Sequence, residues 1–202
     1  MKEFNIVLAG VGGQGTLLAA EAIGVAAIKD ELNVRVSEIH GMAQRGGAVV
    51  STVRIGEMAL ASTVLEGRAH VILGFEPLET LRNLMYASEK TLVIMSTEKI
   101  PPTELAAKNM KYPDVKVLVN KVRLFTSHVV LVEASRLARQ AGSSLSQNVV
   151  LLGVLAGTEV LPVKSESLKE AIKELVPKRH LDVNLKAFEL GNESVSKLKH
   201  KA

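Results

Sequence analysis

A cluster of glycines near the N-terminus is the first feature of this chain that could do chemistry. Residues 10–15 read Gly-Val-Gly-Gly-Gln-Gly and contain the pattern G-x-G-x-x-G, which lies after an apolar run and before a helical pattern. Glycines permit positive φ angles, and the amide groups at the start of the following helix attract anions. The motif therefore indicates a pyrophosphate-type ligand. Its candidate binding residues are Gly10, Gly12, Gly13, Gln14 and Gly15.

The glycine motif alone leaves two interpretations open. Glu38 ends the second predicted strand about where a dinucleotide-binding unit places the carboxylate that binds a ribose, so NAD binding is one of them. The other is a turn whose glycines only allow a helix to pack closely on a strand. A P-loop nucleotide hydrolase is excluded, because Thr16 follows Gly15 directly and the phosphate-binding lysine is missing.

A second glycine-rich stretch, residues 40–47, reads His-Gly-Met-Ala-Gln-Arg-Gly-Gly. It follows the second predicted strand, at the sheet edge where α/β proteins bind ligands. Arg45 could bind a phosphate or carboxylate through its planar guanidinium, and Gln44 could orient an amide or a carbonyl. The alternative is a surface turn whose Arg45 pairs with a carboxylate of this or a neighbouring chain. Gln44, Arg45 and Gly46 join the candidate binding residues.

No side chain has the pattern of an obligatory proton-transfer group or of a metal ligand, so we predict neither a catalytic residue nor a metal site. The histidines share no ligand spacing; they are His40, His70, His128, His180 and His200. Glu76 lies at a strand end before Pro77, where helix capping accounts for it better than a site does. Asn148, near a predicted helix start, fits a local capping bond.

Composition narrows the class of protein further. The 202 residues include no cysteine, which excludes disulfides, thiolate-bound zinc and an iron–sulfur cluster held by this chain. Four Phe, two Tyr and no Trp are too few for a base-stacking surface, so nucleic acid is not expected as a partner. The apolar runs are far shorter than the ~20 residues of a membrane-spanning helix, and no signal peptide is evident. We expect a cytoplasmic protein without membrane contact.

The elements that must position these loops alternate between strands and helices. Short β-branched apolar runs predict strands over residues 4–9, 34–39, 48–55, 69–75, 91–95 and 115–119. Helical spacing predicts helices over residues 16–29, 77 to about 86, 130–140, 146–156, 165–175 and 182–190, before a charged tail that we expect to fray. This order predicts an α/β fold, with a mainly parallel, Rossmann-like sheet, helices on both faces and a helical C-terminal part. We expect one domain over residues 1–202, α/β to about residue 142 and helical over about 143–202.

Taken together, the two loops resemble the gamma-type subunit of 2-oxoacid:ferredoxin oxidoreductases. The run over residues 37–47, Ser-Glu-Ile-His-Gly-Met-Ala-Gln-Arg-Gly-Gly, is most similar to the small (beta) subunit of the indolepyruvate branch. The pyruvate and 2-oxoglutarate branches carry Pro-Glu-Met-Arg-Gly-Gly or a near variant there. The likeness covers nearly the whole chain, and its later matches are Asn148, Leu152-Gly153, Leu161-Pro162, Pro177 and residues 184–191.

This resemblance implies a role in the oxidative decarboxylation of 2-oxoacids, with aryl pyruvates from Trp, Phe and Tyr preferred. In such enzymes thiamine diphosphate, magnesium and iron–sulfur clusters reside on other subunits or domains, ferredoxin takes the electrons and coenzyme A accepts the acyl group. This chain lacks cysteine and the Gly-Asp-Gly…Asn-Asn thiamine signature. The resemblance therefore implies a chain that is inactive alone and acts with a large thiamine- and cluster-containing subunit.

The resemblance also suggests what the loops do. The turn over residues 10–15, or the Gln44–Arg45 loop, is expected to contact the coenzyme A phosphates or to cap the thiamine cavity. Docking of the partner subunit by the same loops is the alternative role. Two other functions stay open at this point: an independent NAD(P)-binding oxidoreductase, and a purely structural assembly module.

Overall fold

The computed structural model describes residues 1–40, 46–101 and 111–199. Within these ranges the strands are β1 (Phe4–Val11), β2 (Val34–His40), β3 (Ala48–Ile55), β4 (Val71–Gly74), β5 (Leu92–Ser96) and β6 (Val129–Val132). The helices are α1 (Thr16–Lys29), α2 (Pro77–Arg82), α3 (Val115–Arg123), α4 (Ala134–Ala141), α5 (Gln147–Gly157), α6 (Ser165–Leu175) and α7 (Leu181–Lys199). Short 3₁₀ turns lie at Leu84–Tyr86, Ser144–Ser146 and Lys178–His180.

The strands form one sheet in the order β2-β3-β1-β4-β5-β6. Strands β1, β4, β5 and β6 pair in parallel, while β3 runs antiparallel to both of its neighbours, β1 and β2. The prediction of a mainly parallel α/β sheet is thus confirmed. The antiparallel β3 was not predicted, and its position between β1 and β2 brings the end of the β2–β3 connection back to the glycine turn.

Both faces of the sheet are covered, as the continuous burial of residues along β1 requires. Ile6 and Leu8 face a large core built with α1, α4, α5, α6 and α7, whereas Val7 faces a smaller core that includes residues of α3. On that smaller side, the part of the sheet near β3 is covered by the connection between β3 and β4 rather than by a helix. Within the described ranges, no helix has the length and apolar character needed to cross a membrane.

The C-terminal helices α5 and α7 cross in backbone contact. A Cβ atom on Gly153 would overlap the Phe188 carbonyl, and one on Gly191 would overlap the Val150 carbonyl. Phe188 itself is fully buried in the large core. The late part of the chain therefore shares its core with the α/β part and packs on it closely.

Residues 115–119 form a helix, which corrects the prediction of a strand there. The sequence Val-Lys-Val-Leu-Val alternates as a strand would, but Asp114 caps a helix by accepting a hydrogen bond from the Lys116 N–H at 2.9 Å. Leu118, Val119 and Val122 are buried at helical spacing in the smaller core. The cap and the burial of one helix face outweigh β-branched propensity here.

Residues 130–140 were predicted as a single helix, and this was wrong at its start. The chain first forms β6, which pairs with β5, and only then α4 from Ala134. Smaller differences concern several element ends. Helix α2 stops at Arg82, the buried fourth strand is confined to Val71–Gly74, and α7 continues as a helix into the charged tail to Lys199. Helices α1 and α6 and strand β3 have the predicted bounds.

Candidate functional site

The glycine turn lies between β1 and α1, at the carboxyl ends of the parallel strands. Gly13 and Gly15 have φ angles of 100° and 76°, a region that favours glycine. Gly10 is needed for space instead, because a Cβ there would lie 2.8 Å from the Cβ of Phe75. Glycine is therefore required in this turn for two reasons, backbone conformation at Gly13 and Gly15 and close packing at Gly10.

Gln14 holds the turn together. Its Oε1 accepts a hydrogen bond from the Val11 N–H at 2.7 Å, and its Nε2 donates to the Phe75 carbonyl at 2.9 Å. Both ends of the amide therefore bind backbone at the ends of β1 and β4. In this arrangement Gln14 fixes the shape of the turn, which differs from the direct ligand contact considered for it from the sequence.

The second glycine-rich loop meets the first at its C-terminal end. The Gly12 N–H donates to the Gly47 carbonyl at 2.8 Å, and the Gly46 N–H lies 3.5 Å from the Gly12 carbonyl. Gln44 and Arg45 lie outside the described residues. The structure thus brings Gly46 beside the glycine turn.

An open groove of about 380 Å³ runs between the glycine turn and β2. Its lining includes Gly13, Thr16, Leu17, Glu38 and Val49. Helix α1 begins here at Thr16, and its N-cap residue Gly15 offers no side-chain cap, so amide groups of its first turn are available to an anion. The hydroxyl of Thr16 is buried and has no hydrogen-bond partner within the described ranges. The groove can accept an anionic group at the helix start and a hydroxyl-bearing group near Glu38.

The strand order separates this site from a dinucleotide-binding unit. In that fold the second strand lies directly beside the first, so that its terminal carboxylate reaches the ribose of a nucleotide bound on the glycine turn. Here β3 lies between them, which moves Glu38 one strand further from β1. The adjacency that the NAD hypothesis relies on is missing.

Asn148 is the site residue whose position the sequence did not indicate. It was expected to make a local capping bond, but its Nδ2 donates to the Gly15 carbonyl at 3.4 Å, across 133 positions of sequence. A Cβ on Gly15 would overlap the Asn148 amide. The start of α5 therefore packs directly on the glycine turn. The only available signal was the resemblance, in which Asn148 already matched.

Glu76 is fully buried at the carboxyl end of β4 and caps α2, as predicted. Its Oε2 accepts the Glu79 N–H at 2.8 Å, and the Tyr112 hydroxyl donates to Oε1. Burial raises the pKa of the Glu76 carboxyl, although hydrogen bonds from Tyr112 and from backbone amides act in the opposite direction. As for metals, the described part of the chain contains no grouping of three His, Asp or Glu residues that could hold one.

Comparison with known families identifies the class of protein. The family described as pyruvate ferredoxin/flavodoxin oxidoreductase matches residues 5–194. The chain therefore belongs to this family. Both glycine-rich loops lie inside the matched region.

Curated relatives fall into two groups. The indolepyruvate oxidoreductase subunit IorB of Pyrococcus horikoshii is 42% identical over 199 residues, which cover 98% of each chain. The protein of the same name in Archaeoglobus fulgidus is 43% identical over 193 residues, 95% of this chain and 96% of its own. By contrast, the pyruvate/ketoisovalerate oxidoreductases common subunit gamma of Thermococcus kodakarensis is 29% identical over 182 residues, 89% and 90% of the two chains.

Solved structures share the fold. The gamma subunit of a keto/oxoacid ferredoxin oxidoreductase from Geobacter sulfurreducens superposes with a TM-score of 0.69 at 21% identity, covering 96% of this chain and 99% of its own. The 2-oxoglutarate:ferredoxin oxidoreductase from Magnetococcus marinus, solved with 2-oxoglutarate, coenzyme A and succinyl-CoA, also gives 0.69 at 21% identity. There the match covers 98% of this chain but only 32% of the longer one.

Proposed function

We propose that this chain is the cluster-free accessory subunit of an indolepyruvate:ferredoxin oxidoreductase. Such an enzyme converts an aryl 2-oxoacid and coenzyme A to acyl-coenzyme A and CO₂, and the two electrons released reduce ferredoxin. The observation that carries the proposal is the 42–43% identity, over nearly the full length, with chains named indolepyruvate oxidoreductase subunit IorB. Identity with the named pyruvate/ketoisovalerate and 2-oxoglutarate subunits is 27–29%.

The cofactors divide between the subunits. Thiamine diphosphate supplies the carbanion chemistry of decarboxylation, and we place it with magnesium and the iron–sulfur clusters on a large partner subunit. This chain has no cysteine to ligate a cluster. Its contribution is to bind, orient and enclose the reacting groups, which is the part that the protein plays in cofactor-dependent enzymes. The chain is therefore expected to be inactive by itself.

We further propose that the two glycine-rich loops contact coenzyme A. Support comes from the uncapped start of α1, the positive φ angles of Gly13 and Gly15 and the buried Thr16 hydroxyl, which together suit a diphosphate. Arg45, in the loop that ends beside Gly12, would add a fixed cation. Glu38 on the far wall of the groove would face a hydroxyl rather than a phosphate.

Assembly with the large subunit is supported by apolar surface on the β3–β4 connection. Met58, Leu60 and Leu65 are exposed by 58%, 79% and 69%. Beneath them, the Arg54 guanidinium donates to the carbonyls of Ala61 and Thr63 at 2.9 and 3.2 Å, so the segment is held on the sheet. Ordered apolar surface of this kind is typical of protein interfaces.

We treat residues 1–202 as one domain of the complex, since the large core draws on strands and late helices alike.

The first experiment is an anaerobic affinity purification of the tagged chain from its native cells. A large iron- and thiamine-containing protein should co-purify, and the complex should reduce a redox dye when given indolepyruvate and coenzyme A. Recovery of the chain alone, soluble and without activity, would contradict the proposal. A titration with NAD(P)H would then test the dinucleotide alternative.

The loop assignment has its own test. Arg45→Ala should raise the coenzyme A KM of the assembled enzyme by about 10- to 100-fold, the effect of losing a charged hydrogen bond to a phosphate. Arg35→Ala is the matched control, since Arg35 is exposed on β2, where it donates to the carbonyl of its neighbour Val34. An unchanged KM and kcat in Arg45→Ala would refute coenzyme A contact at this loop, and loss of co-purification instead would favour partner docking.

A further inference from the structure

Two amide side chains hold the glycine turn in place. Gln14 lies within the turn and binds the backbone at the ends of β1 and β4. Asn148 reaches the turn from the first turn of α5, and its Nδ2 donates to the Gly15 carbonyl at 3.4 Å. A Cβ atom on Gly15 would lie 2.9 Å from Cγ of Asn148, so this amide occupies the space that a side chain at residue 15 would take.

Gly15 is the residue at which the chain enters α1. It is the N-cap of the helix, with φ 76° and ψ 26°, and its carbonyl accepts a hydrogen bond from the Ala19 N–H at 3.0 Å. The backbone angles of an N-cap residue set the direction of the amide groups that follow it, and these amides have no partner inside the helix. A shift of Gly15 would therefore move the amides of Thr16 and Leu17, two residues that line the groove.

Asn148 is itself firmly anchored. Its side chain is buried, and residues 149–152, which follow it in α5, belong to the large core. Further along the helix, Gly153 packs its backbone on the Phe188 carbonyl of α7. The contact with Gly15 thus ties the start of α1 to a helix whose own position is fixed by the core.

Local structure does not explain an asparagine at position 148. Within the described ranges, α5 has Ser146 as its N-cap and no side-chain cap bond. Asn148 lies behind the turn, in the wall of a cavity of about 190 Å³ that also includes Leu18, Val176 and Val183. An apolar side chain would pack there without the cost of burying an amide. What the asparagine adds is a donor for the Gly15 carbonyl.

We infer that Asn148 is a positioning residue of the proposed coenzyme A site, and that it sets affinity by holding Gly15 and the first amide groups of α1 toward the groove. It acts through Gly15, since its side chain lines the cavity behind the turn while the groove is lined by the turn itself. The identity of the ligand rests on the proposed function. The contact between Asn148 and the turn can be tested without it.

Kinetics of the assembled enzyme test the positioning role. Asn148→Ala should raise the coenzyme A KM by about three- to tenfold, the effect of one lost hydrogen bond, with kcat at saturating coenzyme A nearly unchanged. Asn184→Ala is the matched control, and its KM should stay at the wild-type value. Asn184 is also buried in the wall of the same cavity, and its Nδ2 donates to the His180 carbonyl at 2.8 Å. Its substitution therefore removes a comparable buried bond away from the glycine turn.

A second substitution separates the donor from the volume of the side chain. Asn148→Asp keeps the shape of the side chain but places a carboxylate against the Gly15 carbonyl. It should therefore raise the coenzyme A KM at least as much as Asn148→Ala does, and it carries the test if Asn148→Ala does not fold. A wild-type KM in Asn148→Asp would overturn the inference.

Amide hydrogen exchange in the full chain tests the contact itself. The Ala19 amide reports on the Gly15 carbonyl, to which it donates. This amide should exchange faster in Asn148→Ala than in wild type, because the start of α1 opens more readily, and Asn184→Ala should leave it unchanged. Unchanged exchange in Asn148→Ala, or the same increase in both variants, would overturn the inference.

The outcomes separate the role of Asn148 from the proposed function. A normal KM in Asn148→Ala, with a raised KM in Arg45→Ala, would refute the role of Asn148 and leave the proposed function standing. A fall in kcat at constant KM would also refute positioning through ligand affinity. A wild-type complex with no coenzyme A-dependent turnover would overturn the proposed function and, with it, the ligand assigned to the turn.

Discussion

The imidazole Nδ1 of His70 accepts a hydrogen bond from the Asn5 backbone N–H at 2.9 Å, and the His70 backbone N–H donates to the Asn5 carbonyl at 2.8 Å. This pair joins the start of β1 to the residue just before β4. The His70 ring also stacks on Phe4, with ring centroids 4.9 Å apart. Because Nδ1 is an acceptor here, the imidazole is neutral in the fold, and burial lowers its pKa.

Stability should therefore depend on pH through His70. A histidine with a folded-state pKa below its unfolded value of about 6.5 favours unfolding as it becomes protonated. The free energy of unfolding should fall as pH drops below about 6.5 towards the lowered pKa, and urea unfolding over a pH series measures this. His70→Gln should flatten the profile in that window. The same slope in wild type and variant would count against the assignment.

A separate acid-sensitive contact lies at the end of α1. The Asp30 carboxylate accepts hydrogen bonds from the Ser167 hydroxyl at 2.6 Å and from the Lys164 N–H at 2.7 Å. Burial alone would raise the pKa of Asp30, but the bonds from Ser167 and Lys164 together outweigh it and lower the pKa. The stabilisation is thus present above the unfolded value of about 3.9 and is lost as pH falls through the lower folded-state pKa.

Asp30→Ala should reduce the free energy of unfolding by about 2–3 kcal/mol at pH 7, because it removes a charged acceptor from two donors. Asp114→Ala is the control, since it removes a single exposed cap bond to Lys116 and should cost about 1 kcal/mol. Urea unfolding measures both. Equal losses would indicate that the contact between α1 and α6 adds nothing beyond a surface cap.

The two glycines with positive φ at the turn should respond differently to alanine. Gly13→Ala meets open space, so its cost is the backbone strain of about 1 kcal/mol. Gly15→Ala carries the same strain and also overlaps the Asn148 amide. Its loss of unfolding free energy should be clearly larger, and Asn148→Ala in the same chain should recover part of it. No recovery would show that α5 does not constrain the turn.

The crossing of α5 and α7 gives the largest predicted effect. Gly153→Ala should cost about 3 kcal/mol or more, because the new methyl group overlaps the Phe188 carbonyl and backbone moves less easily than side chains. Gly24→Ala in α1 is the matched control. Its Cβ meets only Cγ2 of Val36 at 3.0 Å, and alanine favours the helix by about 1 kcal/mol. A loss in Gly153→Ala no greater than in Gly24→Ala would contradict the close crossing.

What the sequence predicted correctly depends on local physics. Helix α1 was predicted from the spacing of its apolar residues. The glycine turn was predicted because positive φ angles, such as those of Gly13 and Gly15, favour glycine over other residue types. The prediction for residues 115–119 was wrong because the alternation of apolar and polar residues there suits a strand. The burial of Leu118, Val119 and Val122 against other elements, together with the Asp114 cap, selects the helix.

The parts of the site that could not be predicted depend on long-range pairing. No residue pattern near Ala48–Ile55 predicts that this strand pairs antiparallel with β1 and separates β1 from β2. Likewise, the contact between Asn148 and Gly15 spans 133 residues. Gln14 illustrates a third limit, since a polar residue in a glycine loop can equally serve a ligand or, as here, the backbone at Val11 and Phe75.

The hydrogen bond from Gly12 to Gly47 couples the first glycine-rich loop to the last residues of the second. A substitution that shifts the first loop should change the orientation of the second, so the effects of paired substitutions across the loops should not add. Residues on either side of this bond would then be constrained jointly during evolution, and exchanging one loop for that of another branch should fail unless its counterpart is exchanged with it.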